Sequence, residues 1–228
     1  MWHTVRMSAA SIRARVRAEM TDEIKAVARR HLATDGANLS LRAVARDVGM
    51  VSSAVYRYFA SRDDLLTALI IDAYDALGAA AEAADPGGPF TRRYLAVGHA
   101  VRDWALANPH EWALIYGSPV PGYQAPRDTV TSAVRVVLVI GALVRDAYES
   151  GETRPGDPPP DLLAAELTAA GEVVRIAAPA DLVARALSAW IHICGAVSAE
   201  LFGQLNNTID ERRAFFDLQL RLQASLIA

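Results

Sequence analysis

Cysteine and histidine are scarce in this chain. A single cysteine, Cys194, occurs among 228 residues, which excludes an internal disulfide framework and a multi-cysteine zinc site. Its apolar neighbours in the sequence favour an inert buried thiol over a redox switch. The five histidines include no pair at metal-ligand spacing on one helix, so no metal site is predicted. Because nothing here requires an oxidising compartment, we expect a cytoplasmic protein.

Long apolar runs and catalytic motifs are missing as well. The most apolar stretch, residues 136–144, lies between Arg135 and Arg145 and is far shorter than the roughly 20 residues that span a bilayer. We interpret it as a buried helix and expect no membrane partner. The basic amino-terminal segment is not followed by an apolar stretch, unlike a secretory signal. No glycine-rich phosphate loop, nucleophile elbow or carboxylate pair occurs, so neither catalytic residues nor a cofactor are predicted.

Apolar residues are abundant, at 52% of the chain, which is enough for a substantial core. Ala, Leu, Arg and Glu recur at three- and four-residue spacing, which is typical of helices that bury one face. The predicted fold class is therefore all-α. The net charge of −3 is divided unevenly, because residues 1–62 carry 11 Lys or Arg against 5 Asp or Glu, and the remainder carries 12 against 21. We expect a polyanion to bind the basic part.

Three regions are predicted along the chain. Residues 1–15 are expected to form a basic flexible arm, residues 16–62 a helix-turn-helix DNA-binding domain, and residues 63–228 a helical ligand-binding and dimerisation domain. Glycine and proline, which interrupt helices, mark the breaks between segments. The predicted helices are 16–34, 40–48, 52 or 53 to 59, 62–84, 90–107, 109–116, 128–150, 161–176, 181–204 and 209–227.

Residues 39–66 hold the most informative pattern. Two short amphipathic segments flank Gly49, where a left-handed turn is favourable, and this pattern predicts a helix-turn-helix whose first helix supports the second. The small residues Ser52 and Ser53 at the start of the second helix leave room for a close approach to base edges. The residues expected to face inward are Ala43, Val44, Val48, Ala54, Val55 and Phe59.

This segment resembles the tetracycline-repressor (TetR) family of bacterial regulators over about residues 19–73. The resemblance rests on the aromatic run 56–59 (Tyr-Arg-Tyr-Phe), followed by Arg62 and the Leu65-Leu66 pair. It implies a three-helix DNA-binding domain, a connecting helix, and a carboxy-terminal bundle that dimerises and binds a small ligand. The segment 190–195 (Trp-Ile-His-Ile-Cys-Gly) is similar to the Trp-His-Gly motif of one subclass, although Cys194 stands where the histidine usually occurs.

The resemblance also implies DNA contacts for individual residues. Phosphate contacts are implied for Tyr56, Tyr58 and Arg62, and we expect another from Ser40, which lies near a helix amino terminus. One of the two tyrosines could instead belong to the core. Arginine can form two hydrogen bonds with guanine, and an apolar side chain can touch a thymine methyl group. The residues predicted to read bases are Arg42, Val51, Ser52, Ser53 and Arg57.

The carboxy-terminal part is interpreted from the resemblance and from its apolar helix faces. Apolar residues lie on most sides of the segment 181–204 and recur in the last helix, as expected of helices that a second subunit covers. A two-fold dimer would present two recognition helices to a palindromic operator in double-stranded DNA. The predicted dimerisation residues are Leu187, Trp190, Ile191, Val197, Leu201, Phe215, Phe216 and Leu222. The predicted ligand-binding residues, on helices that line the pocket in relatives, are His99, Trp104, Trp112, Tyr116, Tyr123 and Arg135.

Some alternatives remain open at this stage. The tryptophans could be core residues, and Arg135 could be paired with an acidic residue. The function predicted is that of a homodimeric transcription regulator, a repressor that a small-molecule effector releases from its operator. A DNA-binding interaction module that needs no ligand, or a small-molecule-binding protein that does not bind DNA, would also fit parts of the pattern.

Overall fold

The computed structural model describes residues 9–36 and 39–228 of the chain. Within these ranges the secondary structure is helical and contains no strand, which confirms the predicted all-α class. The chain divides into two compact units. The first comprises the described residues up to Ile70 together with Pro119–Ala125, and the second comprises Ile71–Ser118 and Pro126–Ala228. The division falls inside the connecting helix, eight residues after the predicted boundary at residue 62.

The first unit is built from short helices with apolar inner sides. Its elements are α1 (Ala9–Asp35), α2 (Leu41–Val48), α3 (Ser52–Val55) and the first part of α4 (Arg62–Ala83). The Ser61 hydroxyl accepts a hydrogen bond from the Asp64 amide at 3.0 Å, so α4 begins at the predicted capping sequence. The buried apolar residues include Ile24, Val27, Leu32, Val44, Val55, Leu65 and Leu69.

The prediction for the amino terminus is wrong over part of its range. Helix α1 already begins at Ala9, so residues 9–15 are helical where a flexible arm was expected. Residues 11–19 are all exposed and carry no inward apolar period, and this is why the sequence pattern did not indicate a helix there. The rest of the predicted arm, residues 1–8, lies outside the described residues.

The second unit contains the remainder of α4 and the helices that follow it. These are α5 (Phe90–Ala107), α6 (Pro109–Tyr116), α7 (Val130–Ala133), α8 (Arg135–Glu149), α9 (Asp161–Val173), α10 (Ala180–Leu201) and α11 (Arg212–Ala224). Helices α5 and α6 have the predicted bounds, and Pro109 occupies the first turn of α6, where its missing N–H is not needed.

Four predicted helices of this unit have other bounds in the structure. Helix α10 ends at Leu201 rather than at residue 204, and α11 covers Arg212–Ala224 rather than 209–227. The region expected as one helix over 128–150 starts with a 3₁₀ turn at Arg127–Thr129 and is interrupted at Val134, between α7 and α8. The Thr129 amide and hydroxyl both donate to the Pro126 carbonyl, at 3.1 and 2.8 Å, and tighten this start. Helix α9 ends at Val173 because Arg175 adopts a left-handed conformation with φ 58° and the chain reverses there.

Helices α5 and α10 carry much of the core of the second unit. The Tyr94 ring of α5 is fully buried, and its hydroxyl donates to the Ala189 carbonyl of α10 at 3.1 Å. By length and composition α10 could cross a membrane, but core helices of soluble proteins have the same properties, and its Val183, Ile193 and Val197 are buried here. The stretch 136–144 forms a buried part of α8, as predicted.

Candidate nucleic-acid interface

Helix α2 is a short helix with well-defined ends. At its start the Ser40 hydroxyl oxygen accepts a hydrogen bond from the Ala43 amide at 3.4 Å. At its end Gly49 adopts the left-handed conformation, with φ 80°. Leu41 and Val44 are buried on one side. The cap and the turn predicted from the sequence are therefore confirmed, and α2 is fixed in place to support α3.

Helix α3 exposes its first turn. Val51 is 72% exposed, and Ser52 and Ser53 are also exposed, whereas Val55 and Phe59 are buried and anchor the segment. The regular helix ends at Val55 rather than at residue 59, because the chain continues in tighter turns in which the Tyr58 amide donates to the Val55 carbonyl at 2.9 Å. The residues predicted to read bases at this turn thus lie on an exposed, firmly anchored surface.

The two tyrosines after α3 lie outside the core. Tyr56 is exposed and Tyr58 is half-buried, so both hydroxyls remain candidates for phosphate contact. Arg17 of α1 donates from Nη2 to the Arg57 carbonyl at 2.7 Å, and its guanidinium lies 5.1 Å from the centre of the Tyr58 ring. Sequence reasoning missed this contact, since the two hydrogen-bonded residues are 40 positions apart.

The remaining predicted DNA contacts differ in how accessible they are. Ser40 and Arg42 are exposed. Arg62 is half-buried: its Nε donates to the Leu39 carbonyl at 3.2 Å, and its Nη1 lies 3.2 Å from the Asp63 carboxylate. Arg62 therefore fixes the start of α4 to the chain before α2, a structural role that the sequence did not reveal. Its contact with a phosphate stays a prediction.

Helices α1 and α2 are joined by a polar contact as well as by apolar packing. The Nε2 atom of His31 lies 2.8 Å from Oδ2 of Asp47. This hydrogen bond, together with one from Arg46, lowers the pKa of the Asp47 carboxyl below its ordinary value. No motif signals this pair, because its members lie on different helices.

The comparisons with known proteins agree with this geometry. A sequence model described as "Bacterial regulatory proteins, tetR family" matches residues 24–69, which hold the helix-turn-helix. A second, described as "Tetracyclin repressor-like, C-terminal domain", matches residues 94–222, more than half of the chain. This chain belongs to the TetR family.

Relatives of this TetR-family protein cover nearly its whole length. HTH-type transcriptional regulators of Mycobacterium bovis (Mb1846) and Mycobacterium tuberculosis (Rv1816) are each 39% identical over 222 residues, which is 93% of this chain and 94% of theirs. The crystal structure of the regulatory protein SCO4313 matches with a TM-score of 0.78 and 34% identity over 92% of this chain and 97% of that one. The TetR-family regulator PfmR of Thermus thermophilus shares the fold, with a TM-score of 0.59 and 17% identity over 88% of this chain and 98% of its own. The chain is thus a DNA-binding transcription regulator and not an enzyme.

Aromatic side chains gather in the TetR-like carboxy-terminal unit. We call Tyr74, Trp112, Tyr116 and Trp190 the aromatic cluster, in which the Tyr116 ring lies 4.6 Å from Trp112, 5.8 Å from Trp190 and 5.9 Å from Tyr74. Trp112 is completely buried, and its indole N–H donates to the Ser198 hydroxyl at 3.1 Å. Trp112 is therefore a core residue in this structure, which favours the alternative left open by the sequence. Trp104 is half-buried against the same core.

The polar candidates for ligand contact are engaged elsewhere. Arg135 forms ion pairs with Asp75 at 3.0 Å and Glu82 at 2.6 Å, so the alternative of an acid-paired arginine is confirmed. His99 lies 3.1 Å from the Asp217 carboxylate. Tyr123 belongs to the first unit, where its hydroxyl lies 2.9 Å from that of Thr67, whereas Trp112 and Tyr116 belong to the second unit.

Two clefts lie on the second unit near the start of α10. Their volumes are about 330 and 390 Å³, and they share Gly156, Asp181 and Arg185 in their walls. None of the predicted ligand-binding residues lines either of these clefts.

The predicted dimerisation residues divide by burial. Val197 and Phe216 are buried inside their own subunit, so their assignment to a dimer surface was wrong. Both follow the apolar period of their helices, and the period alone does not distinguish the inner side from an exposed apolar side. Ile191 is 67% exposed and Leu222 is exposed as well. The half-buried residues of the set are Leu187, Trp190, Leu201 and Phe215.

Proposed function

We propose that this protein is a homodimeric repressor that binds a palindromic operator and is released from it by a small-molecule effector. The exposed first turn of α3 is the observation that carries the proposal. Val51, Ser52 and Ser53 leave a surface without bulky charged groups, and the buried Val55 and Phe59 hold it in place. Such a surface suits the major groove, where the amino-terminal end of a recognition helix contacts base edges.

Base reading and phosphate binding fall to different residues in this proposal. Arg57 is exposed and can form two hydrogen bonds with a guanine, worth about 1–3 kcal/mol of discrimination, whereas serines discriminate weakly. Arg42 is the second candidate for base contact. Tyr56, Tyr58 and Ser40 would bind phosphates and fix the register of the protein on the duplex without reading its sequence.

The dimer is proposed from apolar surface on α10 and α11. Ile191 projects from α10, and Leu218, Leu222 and Leu226 follow one another at four-residue spacing along the end of the chain; all four are exposed in the single subunit. Helices α10 and α11 pack against each other, and exposed apolar side chains that cluster on packed helices are commonly part of an interface. A two-fold contact through these helices would give the regulator two recognition helices for the two halves of a palindrome.

The aromatic cluster is the proposed region of effector contact. Tyr116 and Trp190 are half-buried rather than fully buried, and aromatic walls with a few polar groups are typical of small-molecule sites. A bound effector can shift the protein away from its DNA-binding conformation only by binding the other conformation more tightly. The chemical identity of the effector does not follow from these residues.

Selection of binding sites from random duplexes tests the proposal. The full-length protein is expected to enrich a palindrome, and a duplex that contains it should be retarded in a gel. Enrichment of a single, non-repeated half-site would contradict the homodimer. Loss of the gene should raise transcription from promoters that contain the palindrome, and reduced transcription would instead identify an activator. As is typical of its family, the regulator is expected to act in the cytoplasm.

A further inference from the structure

The amino-terminal half of α1 extends beyond the part of the chain that matches the family. The match begins at residue 24, whereas α1 begins at Ala9. Residues 11–19 are exposed, and the first buried residue of the described part of α1 is Ile24. A helix segment that buries no apolar face has little intrinsic stability of its own. The extension therefore contributes little to the core, and its exposed side chains are accessible to another molecule.

Arg17 holds this extension next to the turn that follows α3. Arg17 donates to the Arg57 carbonyl at 2.7 Å and lies over the Tyr58 ring. The carbonyls at the end of a helical segment carry partial negative charge, so a guanidinium is favoured there. Arg17 is nonetheless exposed, and it lies beside Tyr58, one of the two tyrosines proposed to bind phosphates.

Arg13 and Arg17 lie on one side of the α1 extension, and the ion-paired residues of this segment lie on the other. Arg13 precedes Arg17 by four residues, and the buried Ile24 and Ala28 follow Arg17 by seven and eleven, so all four share one side of α1. Arg15 lies on the opposite side and is 3.4 Å from Glu19. Asp22, also away from the Arg13 side, is 3.4 Å from Lys25. The side of α1 that packs on the helix-turn-helix thus continues beyond it as a basic edge.

We propose that Arg13 and Arg17, which we call the α1 edge, bind backbone phosphates of the same duplex that α3 reads. The edge would add about 6 Å of contact along α1, since successive residues of a helix rise about 1.5 Å. The occupant is DNA rather than an acidic protein, because the α1 edge adjoins exposed residues of the DNA-binding surface. This inference rests on DNA binding by the first unit, but on neither the operator sequence nor the effector.

The salt dependence of DNA binding tests the proposal. The probe is a random-sequence duplex of about 30 base pairs, roughly three helical turns, so no operator needs to be known. Each phosphate contact contributes about 0.9 to the slope of log affinity against log salt concentration. The Arg13→Ala variant is expected to make this slope shallower by about 1 per bound subunit.

Arg15→Ala is the matched control. It removes the same charge from the same exposed helix, two residues away and on the opposite side. Its slope should equal that of the wild type. Equal slopes for Arg13→Ala and wild type, or equal changes in both variants, would overturn the proposal and leave an acidic protein as the partner to seek. Absence of any binding by the wild type would instead refute the proposed function itself.

Arg17 needs a second readout, since it also positions the turn after α3. Arg17→Ala is expected to flatten the salt slope and also to reduce the preference for the selected operator over random duplex. Arg13→Ala should leave that preference unchanged. A loss of preference in Arg13→Ala would show that the α1 edge takes part in base reading, which contradicts a purely phosphate-binding role.

Discussion

At the scale of single residues, the core of the second unit contains a buried ion pair. Arg102 of α5 donates from Nε and Nη2 to both carboxylate oxygens of Glu200 in α10, at 2.7 and 2.6 Å, and each side chain is only 7% exposed. Removal of Glu200 leaves the buried Arg102 with only the longer contact to the exposed Asp103, at 3.4 Å. We expect Glu200→Leu to lower the free energy of unfolding by about 3–5 kcal/mol, measured by urea titration.

The same pair offers two controls. The double variant Arg102→Met with Glu200→Leu should recover most of the loss, since no unpaired charge remains. Arg213 forms a 2.7 Å pair with Asp103, but these side chains are 61% and 50% exposed. Arg213→Ala is therefore expected to cost no more than about 1 kcal/mol. Similar losses for Arg213→Ala and Glu200→Leu would show that burial does not set the strength of these pairs.

The lone thiol gives a second prediction at this scale. Burial raises the pKa of the Cys194 thiol to about 12, and only the thiolate reacts with alkylating reagents. In the native protein at pH 8, Cys194 should react with iodoacetamide far more slowly than in urea-unfolded protein, as measured by mass spectrometry. A native rate equal to the unfolded one would mean that the thiol is accessible and ionised, as a redox switch requires.

At the scale of elements, the side chain of Arg135 joins α8 to α4 and packs directly against Gly78 of α4. Arg135 of α8 bonds to Asp75 and Glu82 of α4, and it passes over Gly78 between them. Its hydrogen bond to Glu82 lowers the pKa of that carboxyl. A Cβ atom on Gly78 would lie 2.7 Å from the Arg135 Cβ, too close for either atom to remain in place. The glycine is therefore required for close approach rather than for backbone freedom.

A double-mutant cycle tests this contact. Gly78→Ala alone should destabilise the protein by about 1–3 kcal/mol, because it displaces the Arg135 side chain. In an Arg135→Gly background the same change should stabilise by about 0.5–1 kcal/mol, since alanine is the better helix former and the Arg135 Cβ, the nearest obstructing atom, is gone together with the rest of the side chain. The free energies come from urea unfolding of the four proteins. The same sign in both backgrounds would contradict the contact.

At the scale of the whole molecule, the proposed dimer makes the sharpest prediction. Ile191→Glu places a charge at an exposed apolar position of α10 in the proposed interface, and it should convert the proposed dimer into a monomer in analytical ultracentrifugation. Operator affinity should fall by a factor on the order of 10², because two linked DNA-binding units bind far more tightly than one. Val130→Glu is the control, since Val130 is similarly exposed but belongs to α7, which is not part of the proposed interface.

Gly195 provides an independent variant for the same surface. It lies four residues after Ile191 on α10, and a Cβ added there would meet nothing within 4 Å in the subunit. Gly195→Leu should therefore leave the folding of the subunit intact and weaken only the association with a second copy. If the protein remains dimeric after both substitutions, Ile191→Glu and Gly195→Leu, the interface lies on another surface.

Much of this molecule could be predicted from local signals in the sequence. Ser40, Gly49 and Ser61 mark helix ends through contacts within a few residues, and the aromatic run after α3 identifies the family through its spacing. The helical class follows from a period that each segment displays by itself. For the same reason the exposed extension of α1, which has no inward apolar period, could not be predicted.

The tertiary structure decided which of several equivalent side chains serve the core, the surface or an ion pair. Val197 and Ile191 have the same apolar character on one helix, yet only the packing of α10 on its neighbours buries the first and exposes the second. Arg17 and Arg135 find their partners 40 and more than 50 residues away along the chain. Helix ends depend on nearby residues and are therefore encoded locally. These long-range contacts depend on which segments meet in space, and the sequence pattern of one segment does not show which distant residue it will contact.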